Sequence, residues 1–236
     1  MKLFDINNFM KILTTLLILS TSVFANTVNT TNTQVCDQFY FKKPTITTNH
    51  ITICNPDFVI EYSPVTKTPI YSANILTLSS VKQAKLIGRK DTFHEDPNIP
   101  IQYRSTLNDY KKSGYDRGHM LSCEDAPNFQ SQYTTFSLAN MVPQDHSNNI
   151  GVWKKLENTA RNYTKTEHRV YVISGPIYNN LTTSIGNDVK VPQRLFKIII
   201  LPDQNRTIVT VVNNSNSRDI NITTLKELQK VVPIKF

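Results

Sequence analysis

The sequence predicts one α+β domain: a mainly antiparallel sheet flanked by helices. Three observations carry this. The 236 residues suit one sizeable domain. Val, Ile, Tyr and Phe are plentiful, as strand-rich cores require. Strand-like runs outnumber helical ones and lack the regular alternation of βαβ units, which favours antiparallel pairing.

The elements follow in order. "FVIEYSP" (58–64) alternates like a strand and ends at a proline turn, and "PIYSANILTLS" (69–79) reads as its hairpin partner. Residues 80–113 are polar and irregular, with Pro97 and Pro100, and read as a long surface excursion with functional content. "GYDRGHM" (114–120) reads as a tight turn; it holds two of the six glycines, and Gly118 permits close backbone approach or an unusual dihedral. "TTFSLANMVPQ" (134–144) reads as a strand running into a turn. Residues 147–164 read as a helix capped by Ser147 or Asn148, with Ile150, Trp153, Leu156, Ala160 and Tyr163 forming an apolar stripe. "HRVYVISGPIY" (168–178), "LFKIIIL" (195–201) and "TIVTVVN" (207–213) read as strands, and 223–232 as a closing helix.

The first 25 residues have the layout of an export signal: Lys11, an apolar run from Ile12 to Leu19, then Val23-Phe24-Ala25 at the expected cleavage point. The run is shorter than the roughly 20 apolar residues a spanning helix needs. Residues 26–35 read as a flexible leader, and the domain is expected over 36–236. Secretion or periplasmic residence follows. The formal charge is +8, and removing residues 1–25 takes away Lys2, Lys11 and Asp5 and leaves +7. Nucleic acid is a reasonable first partner for such a chain. Of three cysteines, Cys36 and Cys54 are expected to pair across a short loop, leaving Cys123 over. Their spacing makes no zinc site. No H-E-x-x-H, H-x-K-x4-D or glycine-rich phosphate loop is present, so zinc-protease, phospholipase-D-like and P-loop chemistries lack support.

On the predicted helix, Asn149 and Glu157 lie roughly 80° apart around the axis and about 12 Å apart along it. Arg161 follows Glu157 by one turn, placed for an i,i+4 ion pair. Taken alone, this flank also fits an ordinary solvated face, and His119 an ordinary turn histidine. The order of the pieces adds to it: Asp116-Arg117-Gly118-His119, then "LANMVPQ" (138–144), then "NNIGVWKKLE" (148–157).

In these motifs the chain resembles the DNA/RNA non-specific endonucleases, the ββα-metal or His-Me finger nucleases. The resemblance rests on Asp116–His119, on Asn140 with Pro143-Gln144, and on Asn149 through Glu157 with Arg161 beyond. "GRKDTFHED" (88–96), with Arg89, resembles the family's arginine-containing segment, and the likeness covers roughly 58–235. It implies a ββα-metal fold and Mg2+-dependent hydrolysis of DNA and RNA, with Mn2+ as a substitute, giving 5′-phosphate and 3′-hydroxyl ends. His119 is implied as general base, Asn149 as direct metal ligand and Glu157 as a carboxylate orienting metal-bound water. Arg161 and Arg89 are implied phosphate contacts. Asn140 is implied as an organiser of the active-site helix or of the metal's waters, while Asp116 and Arg117 hold the turn, Arg117 also facing substrate. His146 lies near Asn149 without an assigned role; His50, His94 and His168 read as surface or strand-end residues. A protein inhibitor or a homodimer stays open. A secreted, non-catalytic nucleic-acid-binding protein on the same scaffold is the alternative.

Overall fold

The computed structural model describes residues 36–236; the predicted signal and leader lie outside them. The centre is a seven-stranded sheet. Its strands are β1 (Ile51–Cys54), β2 (Phe58–Ser63), β3 (Thr68–Leu76), β6 (Val170–Ile177), β7 (Arg194–Leu201), β8 (Arg206–Asn213) and β9 (Asn221–Thr223). They lie in the order β9-β8-β7-β6-β3-β2-β1, and every neighbouring pair is antiparallel. The predicted hairpin 58–79 is β2 and β3, broken by a register shift between Glu61 and Tyr62.

Alternation along β7 decides what each sheet face covers. Phe196 and Ile198 join a core with Tyr40, Tyr71, Ile173, Val209 and Leu228. Leu195, Ile199 and Leu201 turn to the other face, where Trp153, Leu156 and Ala160 of the long helix meet them. Lys197 shares that second face by register and is 2% exposed. Cys36 and Cys54 are joined, tying the start of the described chain to edge strand β1. Cys123 is a buried free thiol.

On the helix-bearing face sits a small second unit: β4 (Asp116–His119), β5 (Met141–Gln144) and α3, a continuous helical stretch over 146–163. "DRGH" is therefore a strand, not a tight turn; it pairs antiparallel with β5, Gly118 opposite Val142 and His119 opposite Met141. The turn lies just before it, where Gly114 has φ +82°. Gly118 is used for close approach: a Cβ there would run into the Gln144 side chain.

Four other expectations change. The 80–113 excursion is not wholly irregular: α1 (Leu78–Ala84) begins before it and runs into it, capped by Thr77, and short helical turns follow at Ile101–Tyr103 and Leu107–Tyr110. The first half of 134–144 is not strand, because α2 (Phe129–Thr135), capped by Asn128, and a turn at Leu138–Asn140 precede β5. Ile150 is 60% exposed, outside the apolar stripe. The cause is a π-helical turn over Asn149–Trp153, which breaks the 3.6-residue period and buries Val152 instead. The closing helix is only Leu225–Leu228.

Gly118→Ala is expected to destabilise the fold by about 1–3 kcal/mol through overpacking against Gln144. A urea-denaturation midpoint equal to wild type would count against this close approach.

Candidate active site

The backbone around His119 is fixed from two sides. The Trp153 indole Nε1–H donates to the His119 carbonyl at 2.9 Å, binding the second turn of α3 to β4. Asn140, fully buried, serves the residues that follow. Its carbonyl accepts from Met120 N–H at 3.0 Å, and its Oδ1 accepts from Leu121 N–H at 3.1 Å and from the Ser72 hydroxyl at 2.8 Å. Its Nδ2 donates to the Leu121 and Thr135 carbonyls at 2.8 and 2.9 Å. Asn140 is thus spent on backbone and sheet, with no donor or acceptor turned to a cleft. Gln144 Nε2 donates to Asn148 Oδ1, and Asn148 Nδ2 to the Asn213 carbonyl, both at 2.6 Å, which anchors the start of α3 to β5 and β8.

His119 is 8% exposed. Phe136 meets it edge-on at 5.0 Å and Phe93 lies tilted at 5.7 Å. The Arg89 guanidinium lies 5.3 Å from the Phe136 centroid, and that of Arg117 4.1 Å from the Phe93 centroid. Burial, and then the charges of Arg89 and Arg117, depress the imidazole to about 3. The ring is therefore neutral at physiological pH. Nε2 is buried without a hydrogen-bond partner among the described residues.

In front of Phe93 opens a cleft of about 620 Å³. Arg89, Lys111, Lys112 and Arg117 line it, with Asp91, Asp116 and Asn149 among them. Asn149 donates its Nδ2 to Asp116 Oδ2 at 2.9 Å, which leaves its amide oxygen free. The same Asp116 oxygen lies 2.9 Å from His146 Nδ1. Asp116 thus orients the Asn149 amide as well as belonging to the strand, and His146, to which sequence gave no role, braces Asp116. Arg89 donates Nε to Asp91 at 2.6 Å and Nη1 towards Cys123 Sγ at 3.5 Å.

Arg161 stands elsewhere than expected. Its side chain is 7% exposed and its guanidinium bonds Asp125 at 2.7 Å and Glu124 at 2.9 Å. No ion pair with Glu157 occurs among the described residues, so the local i,i+4 pairing is replaced by a pairing 36 residues distant in sequence. Glu157 faces the same charge group. Burial pushes its carboxyl up, with Lys197 and Arg161 acting against the rise. Burial pulls the Lys197 amine down, against Glu157 and Asp125. Lys197 donates to Ser174 Oγ at 2.6 Å and sits 4.2 Å from the Trp153 ring centroid. Sequence reasoning misses Lys197, and the available signal is a lone lysine centred in "LFKIIIL". Of the predicted residues, Arg89, Arg117 and Asn149 line the cleft; His119 lies behind Phe93, Asn140 and Arg161 are buried, and Glu157 is half-buried outside the cleft lining.

A model of the DNA/RNA non-specific endonuclease family matches residues 37–232. The chain belongs to that family. Among relatives of this chain, the mitochondrial nuclease EXOG of Xenopus laevis is 34% identical over 163 residues, which take in 61% of this chain and 44% of that protein. Nuclease C1 of Cunninghamella echinulata var. echinulata is 35% identical over 163 residues, 61% of this chain and 63% of the other. The chain spans about half the length of the curated relatives it matches. A crystal structure of an EndoG/EndoGI complex, described as showing the mechanism of EndoG inhibition, contains a chain of the same fold: TM-score 0.69, 27% identity, 78% of this chain and 84% of the other covered. The α+β, ββα-metal fold expected from sequence is the fold of this chain.

The depressed imidazole has a stability consequence. His119 binds no proton in the folded state until pH approaches about 3, whereas an unfolded histidine titrates near 6.5. Its contribution is full above the unfolded value and is lost as pH falls towards the folded one. Lowering the pH from about 7.5 to 5 should cost the wild type more stability than His119→Gln, read as the difference in urea midpoints. Equal losses would contradict a buried neutral ring.

Proposed function

We propose that the chain is an exported, Mg2+-dependent, sugar-non-specific endonuclease acting on DNA and RNA. The observation that carries the reading is the neutral His119 imidazole held behind a basic cleft on whose wall Asn149 presents a free amide oxygen. Phosphodiester hydrolysis needs a base for water and positive charge for the phosphate. A neutral imidazole supplies the first. Nε2 is enclosed, so Nδ1 is the nitrogen that would take the proton from water. Arg89 and Arg117 supply permanent charge beside the ring and along the cleft.

The residues fit a hard divalent cation. Asn149 offers a neutral oxygen, fixed by its bond to Asp116, whose carboxylate lies beside it. No group of three or more His, Cys, Asp or Glu suited to a metal occurs among the described residues, so a cation here would be held by few protein oxygens and many waters, the habit of Mg2+. Such a cation supplies charge neutralisation at the phosphate and at the leaving oxygen. Asn149 would hold it. Glu157, half-buried on α3, would orient water near the helix, and Arg161 would keep Asp125 and Glu124 in place beside it. That last assignment replaces the phosphate contact expected of Arg161, because its guanidinium is already engaged by two carboxylates. Asn140 holds the backbone after His119.

Export through residues 1–25, followed by a leader to residue 35 and a domain over 36–236, belongs to the same proposal. The Cys36–Cys54 bond supports it, since such bonds persist in oxidising compartments. One of the curated relatives named above is a mitochondrial nuclease.

The test incubates the mature chain with plasmid DNA and ribosomal RNA, with Mg2+ or with chelator, beside His119→Ala. Degradation is expected only with metal, and the variant should lose about 100-fold or more of the rate. Undiminished cleavage by His119→Ala sinks the mechanism, and tight binding without cleavage sinks the enzyme reading.

A further inference from the structure

Beyond the cleft, α2 carries an exposed aromatic ridge. Phe129 and Tyr133 stand one turn apart on its outer face, 63% and 47% exposed, while Ser131, Gln132 and Thr135 face inward. Two large rings left open on one short helix serve no core. The His94 imidazole stacks on Tyr133, centroids 4.3 Å apart and planes 8° from parallel. His94 Nδ1 in turn lies 2.8 Å from the Thr92 carbonyl, so the stack is held at its base. One face of Tyr133 is thereby held by a partner while about half of the residue stays open to solvent.

The ridge is continuous with the site. The residue that closes α2 is Phe136, whose ring touches His119 and lies under the Arg89 guanidinium. Tyr133 precedes it by three residues and Phe129 by seven, so the open rings step away from His119 at about 6 Å per four residues of helix. A basic stretch leads from α1 to this helix and meets it at Gly88 and Lys90. Lys82, Lys85, Arg89 and Lys90 are all exposed, against one acid, Asp91, within residues 82–91. Gln132 clamps that stretch to the helix: its Oε1 accepts from Lys90 N–H at 2.9 Å and its Nε2 donates to the Gly88 carbonyl at 3.0 Å.

We propose that this ridge is a stacking platform for unpaired bases of a single-stranded nucleic acid whose phosphates run along residues 82–90 towards the cleft. Open aromatic rings beside a cationic track are the two components of sequence-tolerant single-strand binding. A duplex keeps its base faces covered by their own stacking and cannot use the rings. The platform therefore favours single-stranded DNA or RNA, and unpaired regions of folded RNA, over intact duplex. This rests on the nuclease reading above for the direction in which the strand runs.

Binding without turnover separates the two. A labelled oligothymidylate and a blunt duplex of equal length are titrated in chelator against wild type, Phe129→Ala/Tyr133→Ala and Phe129→Tyr/Tyr133→Phe. The alanine pair should lose about tenfold or more in single-strand affinity, keep its duplex affinity, and keep the salt dependence of binding, because phosphate contacts are untouched. The aromatic swap should match wild type. With Mg2+, cleavage of bis(p-nitrophenyl) phosphate, too small to reach the ridge, should be unchanged in the alanine pair. Single-strand affinity unchanged in the alanine pair, or an equal fall on duplex, overturns the platform. Wild type that cleaves nothing, while the alanine pair still loses single-strand binding selectively, overturns the nuclease reading and leaves the platform standing.

Discussion

The hydrogen bond from the Trp153 indole to the His119 carbonyl is the contact on which the rest of the site depends. It joins a strand to a helix 34 residues later at the point where both carry chemistry. It also uses the backbone of His119, not its ring. Asn140 repeats the pattern one and two residues on, and Gln144 with Asn148 repeats it at the start of the helix. Each such bond adds only about 1 kcal/mol net, yet leaving its buried partner unmet costs more, so the set forms as a unit or not at all. The result is a fixed backbone with the imidazole, the Asn149 amide oxygen and two arginines left for other use.

Beneath that frame lies a layer of charge. Arg161 and Glu157 of the helix meet Lys197, Asp125 and the half-exposed Glu124, with the Trp153 ring against the lysine. Burying ions is costly unless each finds an opposite charge or a hydrogen bond. Here Arg161 finds two carboxylates and Lys197 finds a hydroxyl and an aromatic face. Through Lys197 the layer links strand β7 to the helix that bears Asn149 and Glu157. A change at Lys197 would thus be felt at Trp153 and Glu157 together.

What the sequence made legible follows from range. Strands β2, β3, β6, β7 and β8 show because their apolar content is local and long, and the Cys36–Cys54 pair because three cysteines offer few pairings and these two close a short loop. The motif residues Asn149 through Arg161 lie on the helix expected of them because their spacing is itself the signal, whereas Asp116–His119 form a strand where a turn was expected and Asn140 a helical turn where a strand was expected. Helices α1 and α2 do not show: each is a seven-residue polar segment whose start depends on one cap, Thr77 or Asn128, and whose inner face is chosen by tertiary neighbours. Ile150 misleads because a π turn has no mark in a 3.6-residue pattern. Arg161 misleads for a related reason. Its local partner Glu157 is visible in the sequence, whereas Asp125, which holds it, comes from the loop after His119. Asp116 and His146 meet only when strand and helix are folded together.

A glycine is usually taken as a sign of freedom in the chain. Gly118 marks the reverse, for its backbone is ordinary strand and its missing side chain is filled by Gln144. Gln144 cannot withdraw, because it also holds Asn148. Positions 118, 144 and 148 therefore form one unit of inheritance: a side chain gained at the first demands one lost at the second, and that loss unties the third. Variation across such a lineage should reach these three positions together or leave them alone, whatever else in the cleft is remodelled.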